Sequence, residues 1–113
     1  MDIEIKVWLY DILNAINEIE SFLSDSPKEF AAYQNDLKTR RAVERNIEII
    51  GEASKNIPTE IQQSFSDIPW QKLRGIRNRI VHDYFDVDRK IIWFIVTSEL
   101  TTLKKSLQNH IQA

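Results

Sequence analysis

The segment Arg74-Gly75-Ile76-Arg77-Asn78-Arg79-Ile80-Val81-His82-Asp83-Tyr84-Phe85 sets polar chemistry between aliphatic residues. Imidazole has the ordinary pKa nearest neutrality, which suits His82 to taking or giving a proton. A guanidinium is always charged, and its fork of donors matches phosphate oxygens. Arg77 is therefore suited to stabilising negative charge that accumulates in a transition state. Together the two residue types meet the minimum for metal-free RNA cleavage. His82 would deprotonate a ribose 2′-hydroxyl or protonate the leaving 5′-oxygen, Arg77 would hold the pentacoordinate phosphorane, and the product would be a 2′,3′-cyclic phosphate. One His cannot easily serve both ends of an in-line displacement. A homodimer that brings two copies of Arg77 and His82 to a twofold axis would supply both base and acid. The plainer alternative is a structural Arg and His partnered at a helix end, because R-x-x-x-x-H is a short pattern that arises by chance.

Helical geometry spreads these groups in a fan. At about 100° per residue, with Arg77 as zero, Tyr84 falls at about −20°, Val81 at about 40°, Asn78 at about 100° and His82 at about 140°. Arg77 and Tyr84 then share a face. Asn78 and His82 lie four apart and are placed to share a hydrogen bond that fixes the imidazole.

The elements that must position the fan read as helices. Ile5, Leu9, Ile12, Ile16, Ile19 and Leu23, widened by Trp8, Ala15 and Phe22, predict an amphipathic helix over residues 3–24. Ser26-Pro27-Lys28-Glu29 has the form of a capping box opening a short helix that ends near Tyr33. Asn35 or Asp36 caps the next helix, whose stripe of Val43, Ile47, Ile50, Ala53, Ser54 and Ile57 reaches the Ile57-Pro58 break. Gly51 lies inside that stripe. A helix-interior Gly costs ~1 kcal/mol against Ala, which points to another backbone or a ligand passing close to that turn. Pro58 and Pro69 bracket a short segment, and Pro69 starts a helix carrying Leu73, Ile76, Ile80 and Val81 inward, closed by Tyr84 and Phe85. Asp86 or Asp88 caps a last helix over about 87–110. Its run Ile91 to Val96 is apolar on every side, from burial within the bundle or from a subunit interface. The fold class expected is all-α: a four-helix up-and-down bundle with short additional helices in its connections, one domain over 1–113.

Composition removes other chemistries. With 113 residues the chain is long enough for a core, and with no Cys and only His82 and His110 it lacks the usual zinc ligands. Its two glycines, Gly51 and Gly75, write neither a dinucleotide loop nor a P-loop, and no cofactor is called for. No signal-peptide pattern or membrane-length apolar run occurs, so a soluble, cytoplasmic protein with no membrane association is expected. The net charge of −2 argues against RNA at first sight. It hides a division, however. Residues 1–36 hold eight acids and two bases, whereas residues 37–79 hold nine bases and five acids. Local asymmetry of that kind permits an anionic ligand on one side.

The string Arg77-Asn78-Arg79-Ile80-Val81-His82-Asp83-Tyr84 has the R-N-x-x-x-H-x-Y form of HEPN-superfamily toxins and closely resembles the HepT branch. The surroundings match as well: Ile49-Ile50-Gly51-Glu52-Ala53, Ile68-Pro69-Trp70, and Tyr84-Phe85-Asp86-Val87-Asp88 followed by Ile92-Trp93. The resemblance implies a HEPN-like bundle that dimerises with its motifs facing across a cleft and cleaves RNA without metal, tRNA being one target class. By that resemblance Arg77 and His82 are catalytic, with Asn78 as their polar companion, and Glu52 is placed to orient Arg77; a surface pair of Glu52 with Arg45 or Lys55 is an equal alternative. It further implies a type VII toxin–antitoxin system, in which an MntA-type minimal nucleotidyltransferase antitoxin transfers AMP onto the motif tyrosine, here Tyr84, in an assembly beyond the dimer. A half-buried aromatic closing the helix is the structural alternative for Tyr84. Asp83 would sit beside an incoming phosphate and weaken RNA binding. Arg41, Arg45, Arg74 and Arg79 are candidates to track an RNA backbone, His110 is expected to be inert near a frayed end, and Trp8, Trp70 and Trp93 fit core positions. The competing readings are a non-catalytic partner subunit of a minimal nucleotidyltransferase and a plain dimeric bundle without a site.

Overall fold

A computed structural model describes residues 2–25, 28–82 and 89–112, apart from the side chains of Ile76 and residues 79–82. All the regular elements among the described residues are helical: α1 (Ile3–Ser24), α2 (Phe30–Asn35), α3 (Leu37–Asn56), α4 (Thr59–Ser64), α5 (Trp70–His82), α6 (Arg89–Phe94) and α7 (Leu100–Gln112). A five-residue π-helical stretch, Ile95–Glu99, joins α6 to α7 into one rod. The fold is thus an all-α, HEPN-like bundle.

Local chemistry sets most of the ends. The Asp2 carboxylate accepts from the Glu4 N–H at 3.2 Å and opens α1. Asp36 opens α3, accepting from the Thr39 N–H at 3.0 Å and from its hydroxyl at 2.6 Å. Ile57 ends α3 in an extended conformation, ψ 125°, as the residue before a proline prefers. Pro69 lies one residue outside α5, and its carbonyl accepts from the Leu73 N–H at 3.1 Å.

Cross-helix contacts give the directions. Lys104 pairs with Glu20 at 3.0 Å and Trp93 packs against Phe30 and Tyr33, so the last rod runs opposite to α1. Asp67 meets His110, and Lys72 meets Glu99 at 2.5 Å, so α5 runs opposite to that rod as well. The core between the rods is aliphatic: Leu9, Ile12, Ile16 and Ile19 from α1, Val43, Ile47 and Ile50 from α3, Leu73 from α5, and Leu100, Leu103 and Leu107 from α7. Each such side chain stabilises the fold by ~1.5–3 kcal/mol relative to exposure. Among the described residues no helix is long and apolar enough to cross a membrane.

Two elements depart from the local sequence signals. Ser26 and Pro27 lie outside the described residues, but Glu29 is extended at φ −125°, ψ 136°, and α2 starts only at Phe30, without a side-chain cap. Ring contacts of Phe30 and Tyr33 with Trp93, at centroid distances of 6.4 and 5.2 Å, fix the start of that helix in place of the capping box. The last rod is not a plain α-helix and runs to Gln112. Its buried positions Ile92, Val96 and Leu100 come in steps of four. An α-helix would carry each such step about 40° round the axis, and the wider π turn takes up that drift. Thr97 Oγ1 donates to the Trp93 carbonyl at 2.7 Å and the Ser98 hydroxyl to that of Phe94, covering carbonyls along the turn. The apolar run is only partly buried in the bundle: Ile92, Ile95 and Val96 are covered, while Ile91 is 39% and Phe94 59% exposed. Asp86 and Asp88, expected caps, lie outside the described residues.

Candidate active site

The site begins where α5 crosses α3. A Cβ on Gly51 would lie 2.1 Å from Arg77 Cβ, 2.6 Å from its Cγ and 3.3 Å from the Leu73 carbonyl oxygen. Only a residue without a side chain lets the two helices come that close, which accounts for a glycine in the middle of α3. The neighbour inferred from the sequence is therefore α5 itself, and the group that passes over Gly51 is the stem of Arg77.

Beyond that crossing the Arg77 guanidinium reaches the next residue of α3. Its Nη2 donates to Glu52 Oε1, and its Nη1 donates to Asn78 Oδ1 at 3.3 Å. The Arg77 side chain is 24% exposed and that of Glu52 50%. With its carboxylate half open to water, the pair stabilises the fold by only ~0–1 kcal/mol. Its consequence is geometric, since it holds the fork in one orientation. Arg77 Nε is buried without a partner. Of the five guanidinium hydrogens, one faces Glu52 and one Asn78; among the described residues one on each terminal nitrogen has no partner and suits an oxyanion. Beside the fork opens a cavity of about 200 Å³ lined by Gly51, Lys55, Arg74, Arg77 and Asn78.

Arg77, Asn78 and Glu52 are thus brought together. His82 is the last residue of α5, on the same helix as Arg77, and its side chain lies outside the described residues. Tyr84 and Asp83 lie outside them as well, as does the side chain of Arg79. Glu52 takes Arg77 as its partner, while Arg45 pairs with Glu48 and Arg41 with Glu44, both at 3.2 Å. Those two arginines are therefore engaged within α3. His110 is not a frayed, idle residue. Its ring stacks on Phe65 at 3.9 Å, and its Nε2 lies 2.7 Å from Asp67 Oδ1, a hydrogen bond that lowers the Asp67 pKa below the usual carboxylate value. Trp70 is buried, its indole N–H donating to the Phe65 carbonyl at 3.1 Å, and Trp8 and Trp93 pack on the core. Burial, and secondarily the Glu44 carboxylate, raises the Tyr33 pKa well above its ordinary value. The sequence singles out Lys55 only as a surface partner of Glu52, and Gln62 not at all. Lys55 lies four residues after Gly51 and Arg74 three before Arg77, spacings that place each pair on one helix face.

The family model described as Ribonuclease HepT-like matches residues 12–110. The chain belongs to the HepT-like family. HepT-like relatives align over most of their length. "Putative RNase MJ1380" of Methanocaldococcus jannaschii is 35% identical over 93% of this chain and 94% of its own. "Probable ribonuclease HepT" of Thermococcus cleftensis is 40% identical over 88% of each. "Putative RNase MJ0127" of M. jannaschii is 33% identical over 96% of this chain and 88% of its own. No solved structure matches the chain. The HepT-like match takes in both sides of the helix crossing, with Gly51 and Glu52 on α3 and Arg77, Asn78 and His82 on α5.

Proposed function

We propose that this chain is an endoribonuclease toxin that cleaves RNA, tRNA foremost, by metal-independent transesterification. The observation that carries the reading is the Arg77 fork, oriented by Glu52 and Asn78, with donor hydrogens that have no partner among the described residues, beside an open cavity. Arg77 stabilises the second negative charge that gathers on the phosphorane oxygens as the 2′-oxygen attacks. His82 moves the proton, from the 2′-hydroxyl or to the departing 5′-oxygen. The P–O5′ bond breaks as the P–O2′ bond forms, leaving a 2′,3′-cyclic phosphate and a 5′-hydroxyl. Because one imidazole serves one end of the displacement, the working unit is a homodimer with its two motifs facing each other. The exposed Ile91 and Phe94 supply apolar surface for such an assembly.

In this reading the chain is the toxin of a type VII toxin–antitoxin pair. An MntA-type nucleotidyltransferase silences it by placing AMP on Tyr84. A bulky anion on Tyr84, two positions after His82 in the sequence, would compete with substrate phosphate for the Arg77 charge. The test is to incubate purified, unmodified protein with total tRNA in EDTA beside His82→Ala and Arg77→Ala. Cleavage by the parent alone is the expected result. Equal cleavage by all three, or none by the unmodified parent on several RNA classes, would reject the assignment and favour a non-catalytic partner of a nucleotidyltransferase.

A further inference from the structure

Arg77 is one of three cations around the cavity beside it. Lys55 stands one turn beyond Gly51 on α3, and Arg74 one turn before Arg77 on α5, so both reach the same opening between the helices. Among the described residues the lining holds three cations, an amide and a glycine, and no carboxylate. Glu52 occupies Arg77 from outside that lining. Neither Lys55 nor Arg74 has a carboxylate partner among the described residues, whereas Arg41, Arg45, Lys72 and Lys104 each pair with a glutamate.

Arg74 is nonetheless held in place. Its Nη1 donates to Gln62 Oε1 at 2.9 Å, and the Gln62 amide nitrogen donates to the carbonyls of Ile57 at 2.9 Å and Ser54 at 3.2 Å. The carbonyls at the end of α3 thus fix a neutral amide on α4, and the amide fixes the guanidinium. Such a tether positions a cation without cancelling its charge. A carboxylate in the place of Gln62 would cancel that charge and has no N–H to give the two carbonyls.

We propose that Lys55 and Arg74 form a phosphate subsite beside Arg77, taking the backbone phosphate next to the scissile one in the bound RNA. The subsite rests on the ribonuclease reading above. It gives Arg77 to the reacting phosphate and leaves alignment of the strand to its two neighbours, with Gln62 as a positioning residue.

The test uses the full chain silenced by His82→Ala and a short labelled single-stranded RNA, its affinity followed by fluorescence anisotropy across a salt series. Lys55→Gln and Arg74→Gln should each weaken binding and flatten the slope of log affinity against log salt by about 0.7, the double variant by about 1.4. Gln62→Leu releases Arg74 without removing its charge, so it should weaken binding while keeping most of the slope. Lys6→Gln, on α1, serves as the control for general charge and should leave the slope within error. A double variant with the parental slope, while protein with His82 intact still cleaves RNA, would overturn the subsite and leave the ribonuclease reading standing. A parent that neither binds nor cleaves RNA would overturn both. Micromolar binding of inorganic phosphate, with the RNA unbound, would reject the assignment to an RNA backbone.

Discussion

The Cβ of Arg77 lies 2.1 Å from where a Cβ on Gly51 would stand, so the stem of Arg77 occupies space that a glycine on the facing helix leaves open. The atoms in conflict belong to two helix stems, and neither can turn aside as a flexible side-chain end could. Gly51→Ala should therefore force α3 and α5 apart and destabilise the fold by about 1–3 kcal/mol, despite the ~1 kcal/mol of helix propensity that alanine adds. Gly75, on α5, has nothing within 4 Å of its would-be Cβ, and Gly75→Ala should stabilise by about 0.5–1 kcal/mol. Urea unfolding of the two variants checks both signs. A Gly51→Ala protein as stable as the parent would contradict the close crossing.

Glu52→Gln keeps the size of the side chain and removes the charge that orients Arg77. Unfolding midpoints should move little, because Glu52 is half exposed and water screens the pair from that side. Turnover should fall by about 10- to 100-fold, the scale of a catalytic group displaced by about 1 Å, with KM less affected. In an Arg77→Ala background the same substitution should add almost nothing, since both changes remove one oriented fork. Additive losses in that double-mutant cycle would show that Glu52 acts elsewhere.

Residue by residue, the sequence was legible where one local rule decided the outcome. Gly51 announced a close approach because a helix-interior glycine has no local reason to be there, and Asp36 and the Ile57-Pro58 pair announced the ends of α3. Arg77, Asn78 and Glu52 were found through motif and resemblance, and the helix crossing brings them together. Tertiary contacts decided the rest. The capping signal at 26–29 yielded to the packing of Phe30 and Tyr33 on Trp93. His110 took its partners, Phe65 and Asp67, from across the chain. The tether from Ser54 and Ile57 through Gln62 to Arg74 spans three helices and their connections, and no periodicity records it.

Acid should loosen the fold through two carboxylates. Asp36 is held below its usual pKa by its hydrogen bonds from Thr39, and Asp67 chiefly by its hydrogen bond with His110. Both pKa values are depressed in the folded state. The stability they contribute is therefore complete above the unfolded value of about 3.9 and is lost as pH falls through the folded values below it. Urea unfolding between about pH 2.5 and 5 should show stability dropping on the acid side. Asp36→Asn and Asp67→Asn should each make that drop shallower. A drop of unchanged steepness in both variants would contradict the assignment.

Tyr84 is the proposed acceptor of AMP. Intact-mass measurement after incubation with an MntA-type nucleotidyltransferase and ATP should show one or more added AMP units on the parent and none on Tyr84→Phe. An increment that survives Tyr84→Phe would reject that residue as the acceptor.

The chemistry assigned to Arg77 and His82 is read most directly from the ends of the RNA they leave. Products of a reaction run in EDTA should carry 2′,3′-cyclic phosphate and 5′-hydroxyl ends, and neither end should accumulate with Arg77→Ala or His82→Ala. Products bearing 3′-hydroxyl and 5′-phosphate ends, or cleavage by the parent that EDTA abolishes, would contradict transesterification by these two side chains.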